Sequence, residues 1–225
     1  MSIVVNGGAT QTPANSTLSQ LQTRVLRYIG APDHSEAQAM AISEINAAIG
    51  ELNQRNWNWA LTYPDLTMVV STADYNLPAN WGSARMAHWL NSSSVPVGKV
   101  SYLDPKSFDE AIQYGGAGTP IAYTVYNFID TAQLSLDVPM SAAALASYPK
   151  LRHRYFARVP TLVNASDTLP VPSEVEEYIV WAARLACCLS TDPDGNRMAK
   201  ADVKASRAWQ ALVSKDCNNA FKDWE

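Results

Sequence analysis

The sequence predicts an α+β fold. Its N- and C-terminal helices pack as an antiparallel helical bundle, and a β-rich, sandwich- or barrel-like insertion lies between them. Three observations carry this expectation. Apolar residues recur at helical spacing over roughly residues 17–55 and again after Pro172. From Trp57 to about Asn164 the apolar period shifts toward two, and turn residues recur. Runs of one element type segregate into layers or subdomains, so the two helical ends are expected to share a body. The expected division is a flexible arm over 1–16, a helical domain over 17–60 with 165–225, and a β-rich insertion over 61–164.

The arm is rich in Gly, Thr, Asn and Ser and has no periodicity. Thr17-x-x-Gln20 is a capping-box pattern, and Leu18, Leu21, Val25, Leu26 and Ile29 form one stripe behind it. Gly30 and Pro32 end that helix. Asp33 and Ser35 are candidate caps for a second helix reaching about Arg55, with Ala41, Ile45, Ala48, Ile49 and Leu52 as its stripe. Strands are expected at Leu66–Ser71, Ala84–Leu90, Val95–Tyr102, Ile121–Phe128 and Leu134–Val138, with an extended piece at Tyr75–Pro78. Asp104-Pro105 reads as cap and first residue of a short helix through Tyr114.

The clearest strand is Leu151–Val159. There Leu151, His153, Tyr155, Ala157 and Val159 alternate with Arg152, Arg154, Phe156 and Arg158, so one face can pack and the other is basic. Ser173-x-x-Glu176 is a second capping-box pattern. It opens a helix with Val175, Tyr178, Ile179, Ala182, Leu185, Ala186 and Leu189 as its stripe. Asp192-Pro193 starts a last helix that is expected to run nearly to Trp224. Met198, Ala201, Ala205, Ala208, Trp209 and Leu212 face inward, and a polar end follows with Phe221 and Trp224 isolated in it.

Charge narrows the function classes. The chain has 225 residues, 17% charged, and a net charge of -4. That excludes a protein that wraps nucleic acid with a basic face and argues against a polybasic membrane binder. Seven Trp and ten Tyr stand against four Phe, a bias suited to half-wet contact surfaces. Met1–Val5 has no basic leader character, and no apolar run reaches the roughly 20 residues of a spanning helix, so cytoplasmic synthesis and no membrane binding are expected. Cys187, Cys188 and Cys217 are odd in number and lack paired metal-ligand spacing, so they are expected to be reduced, buried thiols.

No nucleophile-elbow, zinc-protease or kinase motif is present, and no catalytic residue, cofactor or metal is expected. Gly115–Pro120 is glycine-rich but lacks the G-K-[ST] of a phosphate loop. His153 falls on the apolar face of its strand and reads as a packed ring. Glu174, Glu176 and Glu177 suit a first helical turn, where carboxylates oppose the macrodipole.

Several segments together resemble the head-to-tail adaptor (connector, tail tubular or head-completion) proteins of tailed bacteriophages. They are Asn56-Trp57-Asn58-Trp59, Tyr75-Asn76-Leu77-Pro78-Ala79-Asn80-Trp81, Thr119-Pro120-x-x-Tyr123, Leu134-x-Leu136-x-Val138-Pro139, Tyr155-x-Ala157-x-Val159-Pro160-x-Leu162 and Leu169-Pro170-x-Pro172. The resemblance runs over roughly residues 17–190. It implies a structural virion protein without catalysis, located at the head-tail junction. It implies a closed ring, usually of twelve copies, that docks on the portal, carries the next tail component (nozzle, second adaptor or tail tube) and extends the DNA channel without sequence-specific binding. Arg152, Arg154, Arg158, Trp209, Phe221 and Trp224 are the candidate ring or partner contacts. Two other readings are carried. One is a tail-associated peptidoglycan hydrolase using Asp109, Glu110, Glu174 or Glu176. The other is a carbohydrate-binding β module using Trp57, Trp59, Trp81 and Trp89.

Overall fold

The computed structural model describes residues 13–14, 16–31, 33–111, 116–127, 131–191 and 195–220. It is α+β, with helices at both ends of the chain. Two compact units emerge: residues 1–59 with 159–225, and residues 60–158.

In the first unit, α1 spans Leu18–Ile29 and begins at the expected capping box. Thr17 Oγ1 accepts the Gln20 N–H at 3.3 Å, and Gln20 Oε1 accepts the Thr17 N–H at 2.9 Å. Gly30 ends it at φ 79°, a left-handed conformation that costs glycine no Cβ clash. The whole expected stripe of α1 is buried. Helix α2 spans Ser35–Leu52, and its expected stripe is buried too. Its cap differs from expectation: His34 occupies the position and gives no side-chain hydrogen bond, because Ser35 is already helical. Pro13–Ala14, within the stretch read as an arm, form β1 and pair with β10, Val171–Pro172.

Helix α5, Ser173–Thr191, packs against α1, α2 and α6, the last spanning Gly195–Ala220. The second capping box is not made. Ser173 lies inside the helix and donates to Glu174 Oε2, while Glu176 turns to Arg24 on α1. The expected stripe also rotates. Val175, Tyr178, Ile179, Val180, Ala183, Cys187 and Cys188 are the buried set, and Leu189 is 66% exposed. Leu189 stands in the last turn of α5, two residues before the helix ends at Thr191. With 26 residues, α6 is about 39 Å long. Its end is not simply polar: Asp216 is buried, Oδ1 accepting the Asn58 N–H at 2.6 Å. The expected start at Asp192-Pro193 lies outside the described residues.

Two asparagines fix the segment that leads into β10. Asn53 takes both backbone groups of Val159, at 2.9 and 2.8 Å, and Asn46 takes both of Leu162, at 2.9 and 3.0 Å. Seven residues on a helix rise about 10.5 Å, and three extended residues span about 10 Å, so the two ladders match.

The second unit is a curled mixed sheet. Its described strands are β2 (Leu61–Thr62), β3 (Asp65–Thr67), β4 (Asp74–Asn76), β5 (Trp81–Leu90), β6 (Pro96–Tyr102), β7 (Ala122–Asn127), β8 (Ala132–Leu136) and β9 (Lys150–Ala157). They run in the order β2-β9-β5-β6-β7-β8-β4, with β3 also on β9. Only β6 and β7 are parallel among these pairings, and helix α3 (Pro105–Ala111) lies in the crossover between them. Asp104 caps α3, its Oδ1 accepting the Ser107 N–H at 3.1 Å; the expected end at Tyr114 lies outside the described residues. Trp89, Tyr123, Val125, Leu134, Leu136, Met140, Leu151 and Tyr155 form the interior.

Two expectations fail in this unit. The strand read at Leu66–Ser71 stops at Thr67, because the chain turns: Ser71 has φ 60°. Helix α4, Ala142–Ser147, was not expected; its alanine run carries no apolar period to read. Gly82 sits at a register shift between β5 and β9. A Cβ there would lie 2.6 Å from the Phe156 carbonyl oxygen.

Candidate interaction surface

Cross-strand register assembles a row of charge on the outer face of the sheet. Asp65 lies opposite Arg152, Arg152 opposite His88, and His88 opposite Lys99. Directly paired residues share a face. The row therefore crosses four strands, about 14 Å at about 4.8 Å per strand. Arg152 holds Asp65 through two bonds, Nε–Oδ1 at 2.7 Å and Nη2–Oδ2 at 3.1 Å. Arg154, two residues along the same face, lays its guanidinium 5.8 Å from the Tyr63 ring centroid, and its Nε is buried without a hydrogen-bond partner. Burial holds the His88 imidazole below its ordinary pKa, and the nearby Arg154, Lys99 and Arg152 charges push the same way.

Arg158 does not join the row. β9 ends at Ala157, and Arg158 is exposed beside Gly82, its N–H bonded to the Asn80 carbonyl at 2.7 Å. His88 and Lys99, which do join it, were invisible to local sequence patterns because only register brings them together. The opposite face of β9 behaves as expected. His153 is fully buried, its ring against Tyr123 and Tyr155 with centroids at 5.5 and 5.6 Å. Neither ring nitrogen has a partner, and burial alone lowers its pKa to about 4.

The other candidate residues are mostly committed to local structure. Trp209 is half-buried, its ring 5.4 Å from Trp57 and 5.1 Å from Tyr178. Phe221 and Trp224 lie outside the described residues. Trp57, Trp81 and Trp89 are buried and offer no platform to a sugar; Trp59 is half-buried and stacks on Trp57. Among the described residues Trp59, Trp181 and Trp209 are half-buried, so the tryptophans divide between interior and margin. The strongly exposed apolar groups are instead aliphatic, among them Val97, Ile121, Val163 and Leu189. Cys187 and Cys188 are buried as expected, but Cys217 is exposed.

Of the acids considered for hydrolysis, Glu174 pairs with Lys215 at 2.5 Å, Glu176 with Arg24, and Asp109 accepts the Tyr126 hydroxyl. Glu110 is exposed. A glycosidase acid needs a raised pKa. The Lys215 hydrogen bond instead drives Glu174 below the usual carboxylate range. Asp216, which the sequence did not single out, is raised by burial. It lines a niche of about 10 Å³ with Trp59, Glu174 and Leu212, room for about one water rather than a sugar. Gly118 donates its N–H to the Pro139 carbonyl at 2.9 Å, so the glycine run serves the sheet margin and not a phosphate.

Residues 16–221 match the family described as SU10 adaptor protein, and the chain belongs to that family. It is a structural adaptor protein of a bacteriophage, a virion component that interacts with other phage head and tail components. No curated protein sequence matches the chain. Among the described residues no helix is long and apolar enough to cross a membrane, and no group of His, Cys, Asp and Glu is placed to hold a metal ion.

Proposed function

We propose that this chain is the head-to-tail adaptor of its phage. Copies close into a ring, usually of twelve, dock beneath the portal of the filled head, and receive the next tail component. DNA passes through the ring without sequence-specific binding. In this reading the terminal helices form an antiparallel bundle, and the β unit is an insertion into it. The observation that carries the reading is the family match over residues 16–221. A net charge of -4 supports it, since a conduit must release its cargo and DNA affinity grows with each phosphate neutralised. A ring needs two different complementary patches on every subunit. Arg152, Arg154, Arg158, Trp209, Phe221 and Trp224 are assigned to ring or portal contacts.

Truncation tests the portal contact. Among the described side chains of α6, Asp216 is the last that is buried. Removing residues 218–225 should leave the fold intact and weaken capture by the immobilised portal protein. A truncated chain that fails to fold, or one that binds the portal as the full chain does, contradicts the assignment of Phe221 and Trp224.

A further inference from the structure

The basic row on the sheet has a counterpart on the same unit. Helix α3 covers the outer side of β7. Tyr123 and Val125 of that strand point into the interior, and Phe108 of α3 packs on Tyr126 from the other side, ring centroids 6.4 Å apart. The Asp104–Glu110 stretch exposes three acids, Asp104, Asp109 and Glu110, against one Lys106. The sheet face carries Lys99, Arg152, Arg154 and Lys150 against Asp65. Among the described residues no carboxylate pairs with Lys99 or Arg154. The two patches differ in charge, which suits head-to-tail association and not a face that pairs with itself.

Exposed apolar groups lie on the strands between the two patches. Val97, 49% exposed, stands two residues from Lys99 on β6. Ile121, 72% exposed, enters β7, its carbonyl accepting the Ser101 N–H at 3.0 Å. A protein interface buries such groups among its charges, whereas a phosphate backbone has nothing to cover them with. That difference favours a protein partner over nucleic acid, as does the negative net charge of the chain.

We propose that the outer sheet face around Lys99, Arg152 and Arg154 docks on the α3 edge, with Asp109 and Glu110, of a second copy of this chain. The proposal rests on the ring reading and names its subunit contact. Lys99 and Glu110 are both exposed and can be reversed without disturbing the interior. Full-length Lys99→Glu and Glu110→Lys chains should each self-associate about tenfold or more weakly than the native chain by sedimentation, because like charges then face one another. The double variant, with both charges exchanged, should recover association, and carbodiimide should join Lys99 to Glu110 between isotopically labelled and unlabelled native copies. Single variants that assemble like the native chain would overturn this contact while leaving the ring reading intact. Lys99→Glu that loses retardation of duplex DNA at unchanged self-association would overturn it in favour of nucleic acid. A native chain that never associates, alone or with portal, would remove the ring reading and this contact together.

Discussion

His153 shows what a single buried side chain contributes here. Its imidazole lies between two tyrosine rings with no partner for either nitrogen, and burial lowers its pKa to about 4 from an ordinary 6.5. The folded chain therefore favours the neutral ring. Stability is full above about pH 6.5 and falls as pH drops toward 4, by about 2–3 kcal/mol at pH 4.5. His88 and the lowered carboxylates Asp104, Asp167 and Glu174 add the same sign, and Asp216, raised by burial, opposes it. The decisive comparison is thus native chain against His153→Phe. Urea midpoints should fall between pH 7 and 4.5 in the native chain and fall much less in the variant. Equal slopes would mean that His153 is charged or solvated in the fold. The inward direction of His153 was legible from strand alternation alone. The company of Arg152 was not, since Asp65 and His88 reach it through pairings with residues tens of positions away.

At the scale of elements, local signals succeeded where the cause was local. Thr17 with Gln20 and the terminal Gly30 set both ends of α1, and all three act within one turn of the helix. Ser173-x-x-Glu176 shows the limit of the same pattern. A charged neighbour, Arg24, takes the glutamate, and the helix starts at the serine. Asn46 and Asn53 were missed altogether, because an asparagine on a helix carries no mark of the backbone segment it will hold. Each satisfies one N–H and one C=O of the 159–162 stretch. Asn53→Ala or Asn46→Ala should each cost about 1–3 kcal/mol, the penalty for leaving half-buried backbone groups unpaired. The two sites lie two helical turns apart, so the losses should nearly add in the double variant. An unchanged urea midpoint in either single variant would show that burial of Val159 and Leu162 holds the segment without them.

At the scale of the whole molecule the chain forms two compact units, residues 1–59 with 159–225 and residues 60–158. Family membership makes it a phage structural adaptor. The ring, its portal and its subunit contact follow as proposals from that membership and from charge placed by the sheet register. Sequence could supply the kind of protein, since Tyr75–Trp81 and Leu169–Pro172 fall in a recognisable order. It could not supply the surface, because only strand register brings His88 and Lys99 beside Arg152. The central claim is assembly on a portal. Light scattering of the purified chain, alone and then mixed with the portal protein encoded beside it, measures that directly. The account predicts a mass increment on the portal equal to a whole ring of copies, usually twelve. A chain whose mass is unchanged by the portal, at concentrations where both stay folded, would contradict it.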